Sequence, residues 1–143
     1  YCLAKKIGVM EYWRGEIFEL SYELGIPQKN TEKLRNKLFG IECNFEELNG
    51  IDFKKGCYIG QENTSRIKLR NKLSKRLLPI QLIEGKLIEG SPIKNNDNEI
   101  GKVLINNQYP FAIVKYLSDY FDPKIEYKSE EAVLKIIKPD WIK

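Results

Sequence analysis

Residues 54–62 read KKGCYIGQE, and Cys57 within that stretch is the side chain best placed to do chemistry. A thiol becomes a nucleophile or a soft metal ligand when neighbouring cations or a helix N-terminus stabilise its thiolate. Lys54 and Lys55 precede it, and a helix opening near Gln61 would follow it. Gly56 and Gly60 permit backbone angles that a larger residue resists, so the stretch is expected to be a turn between elements. Successive N–H groups in such a turn can cradle an anion, but the two glycines match neither the P-loop pattern nor GxGxxG. Gln61 and Glu62 either read a flat heterocycle through paired donors and acceptors or simply begin a helix, where the dipole favours Glu. On residue types alone two readings of Cys57 stand: an activated thiol, or a small apolar residue filling space behind Tyr58 and Ile59.

What the chain lacks narrows the chemistry. It has no histidine, which removes the usual general base, the imidazole metal ligand and every Ser-His-Asp or Cys-His arrangement. The other thiols, Cys2 and Cys43, have no cationic surroundings and read as structural. A single thiol cannot complete a four-ligand site, so no metal site is expected. An odd number of cysteines without CxxC spacing argues against a disulfide framework, and a reducing cytoplasm is the expected location. The N-terminal YCLAKKIGVM has no signal-peptide core, and no apolar run reaches the ~18 residues that span a bilayer. Starting at Tyr1 with its one methionine at Met10, the chain reads as a segment of a longer product.

Charge is unevenly spread. Lys54, Lys55, Arg66, Lys68, Arg70, Lys72, Lys75 and Arg76 face only Glu62 in the same stretch, while the rest of this +4 chain is slightly acidic. Such a stripe suits an anionic partner, whether a polycarboxylate, a polyphosphate, a nucleic acid or an acidic protein surface; it also suits a plain solvated face.

The elements that must position the loop follow from periodicity. Ile17, Leu20 and Leu24 recur at helical spacing before Gly25 and Pro27, which predicts a helix over 16–24. Thr31 as a cap, Leu34 and Leu38 one turn apart and Gly40 as a stop predict a second short helix. Beyond about Leu73 the period drops to two. Leu78, Ile80 and Leu82, then Ile100, Val103 and Ile105, then Phe111, Ile113 and Tyr116, then residues 133–137 alternate or run as β-branched stretches between turn residues. Five or six short strands in such a span predict a small all-β unit, a barrel or a sandwich.

KKGCYIGQE followed by NTSRIKLRNKLSKRLLPI resembles the KGCYxGQE signature of the YgfZ family, folate-binding proteins related to the glycine-cleavage T-protein and involved in iron-sulfur cluster assembly or repair. Leu24-Gly25-Ile26-Pro27 is similar to that family's lGIP element, Glu42-Cys43-Asn44 with Leu48-Asn49-Gly50-Ile51 to the lead into the signature, and Pro139-Asp140-Trp141 to its terminal P-x-W. Ser21 stands where relatives often carry an arginine. The resemblance implies an α+β fold: residues 1–72 as the end of a T-protein-like, folate-binding domain, and residues 73–143 as a mainly antiparallel C-terminal β-barrel. It implies tetrahydrofolate or a derivative as ligand, with most folate contacts upstream of this segment. Cys57 would be the functional thiol, and Lys55, Gly56, Tyr58, Gly60, Gln61, Glu62 and Arg66 would shape the loop and bind the folate. Partners would be iron-sulfur clients or assembly proteins rather than membranes or nucleic acid. An accessory maturation role is expected ahead of two alternatives. One is a folate-dependent aminomethyl or methyl transferase, whose members generally lack the signature cysteine. The other is a nucleic-acid-binding β-barrel with Tyr58 or Trp13 stacking on bases.

Overall fold

The computed structural model describes residues 15–54, 65 and 74–142. Six antiparallel strands close into a barrel: β1 (Lys75–Glu84), β2 (Pro92–Asn95), β3 (Asn98–Ile105), β4 (Phe111–Lys115), β5 (Glu126–Ser129) and β6 (Ala132–Ile136), in the spatial order β1-β4-β3-β2-β5-β6. The expected β-barrel with five or six strands is therefore present. Of these, β2 and β5 are the strands that alternation leaves hidden, because each is four residues long and mostly polar; only Ile93 from one and Tyr127 and Ser129 from the other are buried.

Closure depends on β1. Residues 75–79 pair with β4 and residues 80–84 pair with β6, so one strand joins both ends of the sheet. Pro79 marks the change of partner, as a residue without an N–H must sit where the ladder is interrupted. Its carbonyl accepts from Ile137 N at 2.9 Å, and the next amide, Ile80 N, donates to Pro110 O at 3.0 Å. Gly101 permits the corner between β3 and β4, since a Cβ there would lie 2.5 Å from Ile113 O.

Two cores result. The barrel interior holds Leu78, Ile80, Ile93, Ile100, Val103, Leu134 and Ile136, with Ile142 closing one end. A second core lies on the outer wall, where Leu77, Leu104, Ile105 and Phe111 are covered by Leu34 and flanked by Tyr22, Leu38 and Cys43. This double burial explains why residues 77–80 are all buried in a row instead of alternating, while Leu82, expected to continue the pattern, is exposed on the two-stranded extension with β6.

The covering layer is residues 15–54. Residues 15–23 are helical, as the spacing predicts, and belong to a helix, α1, whose apolar stripe faces outward: Ile17 is 54% and Leu20 57% exposed. The inward face is Phe18, Ser21, Tyr22 and Gly25, because Tyr22 combines a ring that meets Phe111 edge-on with a hydroxyl that donates to Ile80 O. The second predicted helix is only a 3₁₀ turn, Thr31–Leu34. Asn30 rather than Thr31 sits at its N-cap, in the left-handed region at φ 59° and without a side-chain cap bond, and a left-handed Asn36 (φ 61°) prevents continuation toward Gly40. Turns carry the chain from there to Gly50.

Candidate functional site

Cys57 and the expected folate contacts Lys55, Gly56, Tyr58, Gly60, Gln61, Glu62 and Arg66 lie outside the described residues, as do Cys2 and Trp13. What the structure describes is the base from which that loop departs and to which it returns. On the departure side, residues 40–51 wrap around Phe45: its amide donates to Gly40 O at 3.1 Å, and its carbonyl accepts from Gly50 N at 2.6 Å and Ile51 N at 3.0 Å. Asp52 then caps the turn through Lys54 N at 2.8 Å.

The return side is bonded to the departure side. Leu77 N donates to Glu42 O at 2.8 Å, and Asn44 Nδ2 donates to Leu77 O at 2.9 Å. Asn44 Oδ1 accepts from the Arg76 guanidinium at 2.9 Å, and the same guanidinium pairs with Glu47 at 2.6 Å and lies 5.6 Å from the Tyr116 ring centroid. Asn44 is fully buried and takes φ 63°, a conformation Asn tolerates better than most residues. Residues 42–47 and 76–77 are thus one knot. One consequence bears on the basic stripe: Arg76 is spent on this knot, whereas Lys54 and Lys75 remain exposed. The sequence marks Asn44 only as part of the lead-in element Glu42-Cys43-Asn44 and gives no signal for Glu47.

A second knot joins the two ends of the described chain. Gly25, at φ 72°, leaves room for Pro139, whose Cγ would be 2.9 Å from a Cβ there, and for Trp141 at 3.6 Å. Trp141 Nε1 donates to Leu24 O at 3.0 Å. The LGIP stretch and the terminal Pro-Asp-Trp stretch, distant in sequence, therefore close on each other. Ser21 is buried and donates its hydroxyl to Ile17 O at 2.7 Å, so it is engaged within α1 and does not replace an anion-binding arginine.

Cys43, half-buried, lines a cavity of about 320 Å³ together with Ile26, Pro27, Leu34, Leu38 and Phe45. Burial, and then the nearby Glu42 carboxylate, push its thiol up to about 11, so at neutral pH it is protonated and inert. Among the described residues no group of three or more Cys, Asp or Glu is placed to hold a metal ion, and no helix is long and apolar enough to cross a membrane.

No protein-family profile matches the chain. It is similar to curated proteins named "iron-sulfur cluster assembly factor IBA57 homolog, mitochondrial". The one from Yarrowia lipolytica is 32% identical over 136 aligned residues, covering 87% of this chain and 28% of the relative. The one from Aspergillus oryzae is 44% identical over 61 residues (43% of this chain, 14% of the relative), and that from Dictyostelium discoideum 45% identical over 64 residues (45% and 15%). The chain thus matches between 14% and 28% of the length of these relatives. Their names correct the expected cytoplasmic location, since each relative is a mitochondrial protein. Free thiols report a reducing environment and not which reducing compartment supplies it, so the cysteines could not have made the distinction.

Proposed function

We propose that this chain is part of an iron-sulfur cluster assembly factor of the YgfZ type, acting in the mitochondrion, with Cys57 as its functional thiol. The observation that carries the reading is the similarity to the Yarrowia lipolytica assembly factor across 87% of the chain, and the KGCYIGQE signature supports it. In this reading residues 1–72 end a T-protein-like folate-binding domain and residues 73–143 are its C-terminal barrel domain. Tetrahydrofolate is the proposed ligand, with Lys55, Gly56, Tyr58, Gly60, Gln61, Glu62 and Arg66 around it, and iron-sulfur clients or assembly proteins are the proposed partners. The knot formed by Asn44, Glu47 and Arg76 ties the residues leading toward the signature to the first strand of the barrel. The role is that of an accessory factor whose cargo is the cluster.

The test is complementation with the full-length protein in a host lacking its own assembly factor, reading the activity of an iron-sulfur enzyme. Wild type restores activity and Cys57→Ala does not. Full rescue by Cys57→Ala removes the thiol from the mechanism, and failure of the wild type overturns the whole reading. Calorimetry of the full-length protein with tetrahydrofolate tests the ligand separately: absence of saturable binding would eliminate it. Methylene-tetrahydrofolate formed from an aminomethyl-loaded carrier protein would instead favour a transferase.

A further inference from the structure

The cavity beside Cys43 has a largely apolar wall that also includes one cationic side chain. Leu34, Leu38, Phe45, Leu48 and Pro27 make the wall apolar, and no carboxylate lines it. The Cys43 thiol stays neutral there. Arg35 also lines the cavity, is exposed, and its guanidinium takes part in neither of the ion pairs seen among the described residues, Lys33–Glu89 and Arg76–Glu47. A guanidinium is planar and presents paired donors that match a carboxylate fork. The volume of about 320 Å³ sits at the lower edge of the range for small-molecule sites. At interior packing density it accommodates on the order of a dozen non-hydrogen atoms.

From this juxtaposition of an apolar cavity and an Arg35 with no ion-pair partner among the described residues we propose that residues 26–48 form a binding site for a small carboxylic acid with an apolar body, the body entering between Leu34, Leu38 and Phe45 and the carboxylate meeting Arg35. The proposal does not depend on Cys57 or on the assembly-factor reading, because every residue it uses precedes the signature loop. An acid is favoured over a neutral apolar molecule because Arg35 has no counter-ion among the described residues. It is favoured over a cation because the described lining residues include no anionic group.

Calorimetry on the 143-residue chain tests it with three probes: 2-naphthoate, octanoate and the neutral 2-naphthalenemethanol. The expected result is saturable, one-to-one binding of an acid, with the alcohol weaker than 2-naphthoate by about two- to five-fold, the range of a solvent-exposed ion pair. Arg35→Gln should erase that difference while leaving the alcohol's affinity unchanged, and Leu38→Trp should fill the cavity and remove binding of all three. Tighter binding of 2-naphthoate than of octanoate assigns a ring acid, and the reverse assigns an acyl chain. No saturable binding of either acid, or an acid-to-alcohol ratio untouched by Arg35→Gln, overturns the proposal.

Discussion

Inside the barrel, Leu78, Ile80, Ile93, Ile100, Leu134 and Ile136 pack as aliphatic side chains with essentially no exposure, and the few polar groups satisfy one another. Ser91 and Ser129 share a hydrogen bond at 2.7 Å, and the Tyr127 hydroxyl both donates to Asp122 O and accepts from Asp122 N at 2.7 Å. On the outer wall the means are different. Phe111, Leu77 and Ile105 are covered by a layer whose cohesion comes from aromatic contacts and from hydrogen bonds spanning long sequence separations: Tyr22 to Ile80, Asn44 to Leu77, Arg76 to Asn44 and Trp141 to Leu24. The described part of helix α1, residues 15–23, leaves an outward stripe of Ile17 and Leu20 that the described chain does not cover. The barrel is therefore a unit that holds itself, and the layer is a unit that is held. Each knot in the layer is a point where the dependence can be cut without touching the interior.

The contrast is broken or kept most clearly by the largest perturbation. Leu134→Ala removes a fully buried side chain from the interior and should cost about 2–5 kcal/mol. Chemical denaturation should show a lower midpoint for the barrel and the layer together, because the layer has nothing to lean on once the barrel opens. Persistence of the layer after the barrel has unfolded would show that the dependence runs the other way.

Gly25→Ala comes next. It places a Cβ where φ is 72° and Pro139 Cγ lies 2.9 Å away, for a cost of about 1–3 kcal/mol. The loss should be local. Hydrogen exchange should accelerate in residues 15–27 and at the end of the chain, while β1, β3 and β4 keep their protection. Trp141→Phe keeps most of the packing and removes only the bond to Leu24 O, so about 1 kcal/mol and a weaker version of the same exchange pattern are expected. If either change loosens the strands as much as the helix, the two regions are one cooperative unit.

How much of this was legible in the sequence follows the same division. Alternation exposes β1, β3, β4 and β6 because their inward residues meet a single shared interior, and it predicts a barrel or sandwich on that ground. It cannot expose the second core, since Leu77 and Phe111 look like ordinary members of their strands until Tyr22 and Leu34 are brought over them. The helical spacing of Ile17, Leu20 and Leu24 locates α1 correctly yet points to the wrong face, because a tyrosine able to bury its ring and still hydrogen bond with its hydroxyl outcompetes an aliphatic stripe for the barrel wall. The knots are the least legible part. Asn44 is an unremarkable residue in the sequence, and only its left-handed backbone and its placement beside Arg76 give it a structural task.

The smallest signal is also the most selective, because it reports on the layer from within. The Tyr22 phenol is pushed up to about 12 from an ordinary 10.0, and the Cys43 thiol to about 11 from 9.0, chiefly by burial in both cases. Both groups are neutral when protonated, so the folded layer holds their protons more tightly than the unfolded chain does. The stability this confers is fully present below pH 9 and is lost as pH rises through the 9–11 window for the thiol and the 10–12 window for the phenol. Alkylation by iodoacetamide, followed peptide by peptide with mass spectrometry, isolates Cys43 from the other thiols. Its rate should stay low at pH 8 and climb with a midpoint near 11. Leu34→Ala, by opening the outer core and the cavity that Cys43 lines, should pull that midpoint down toward 9.0 with the barrel still folded. A Cys43 that already titrates near 9.0 in the unaltered chain would mean that the layer admits water where it meets the wall, and that the outer core contributes far less cohesion than its packing indicates.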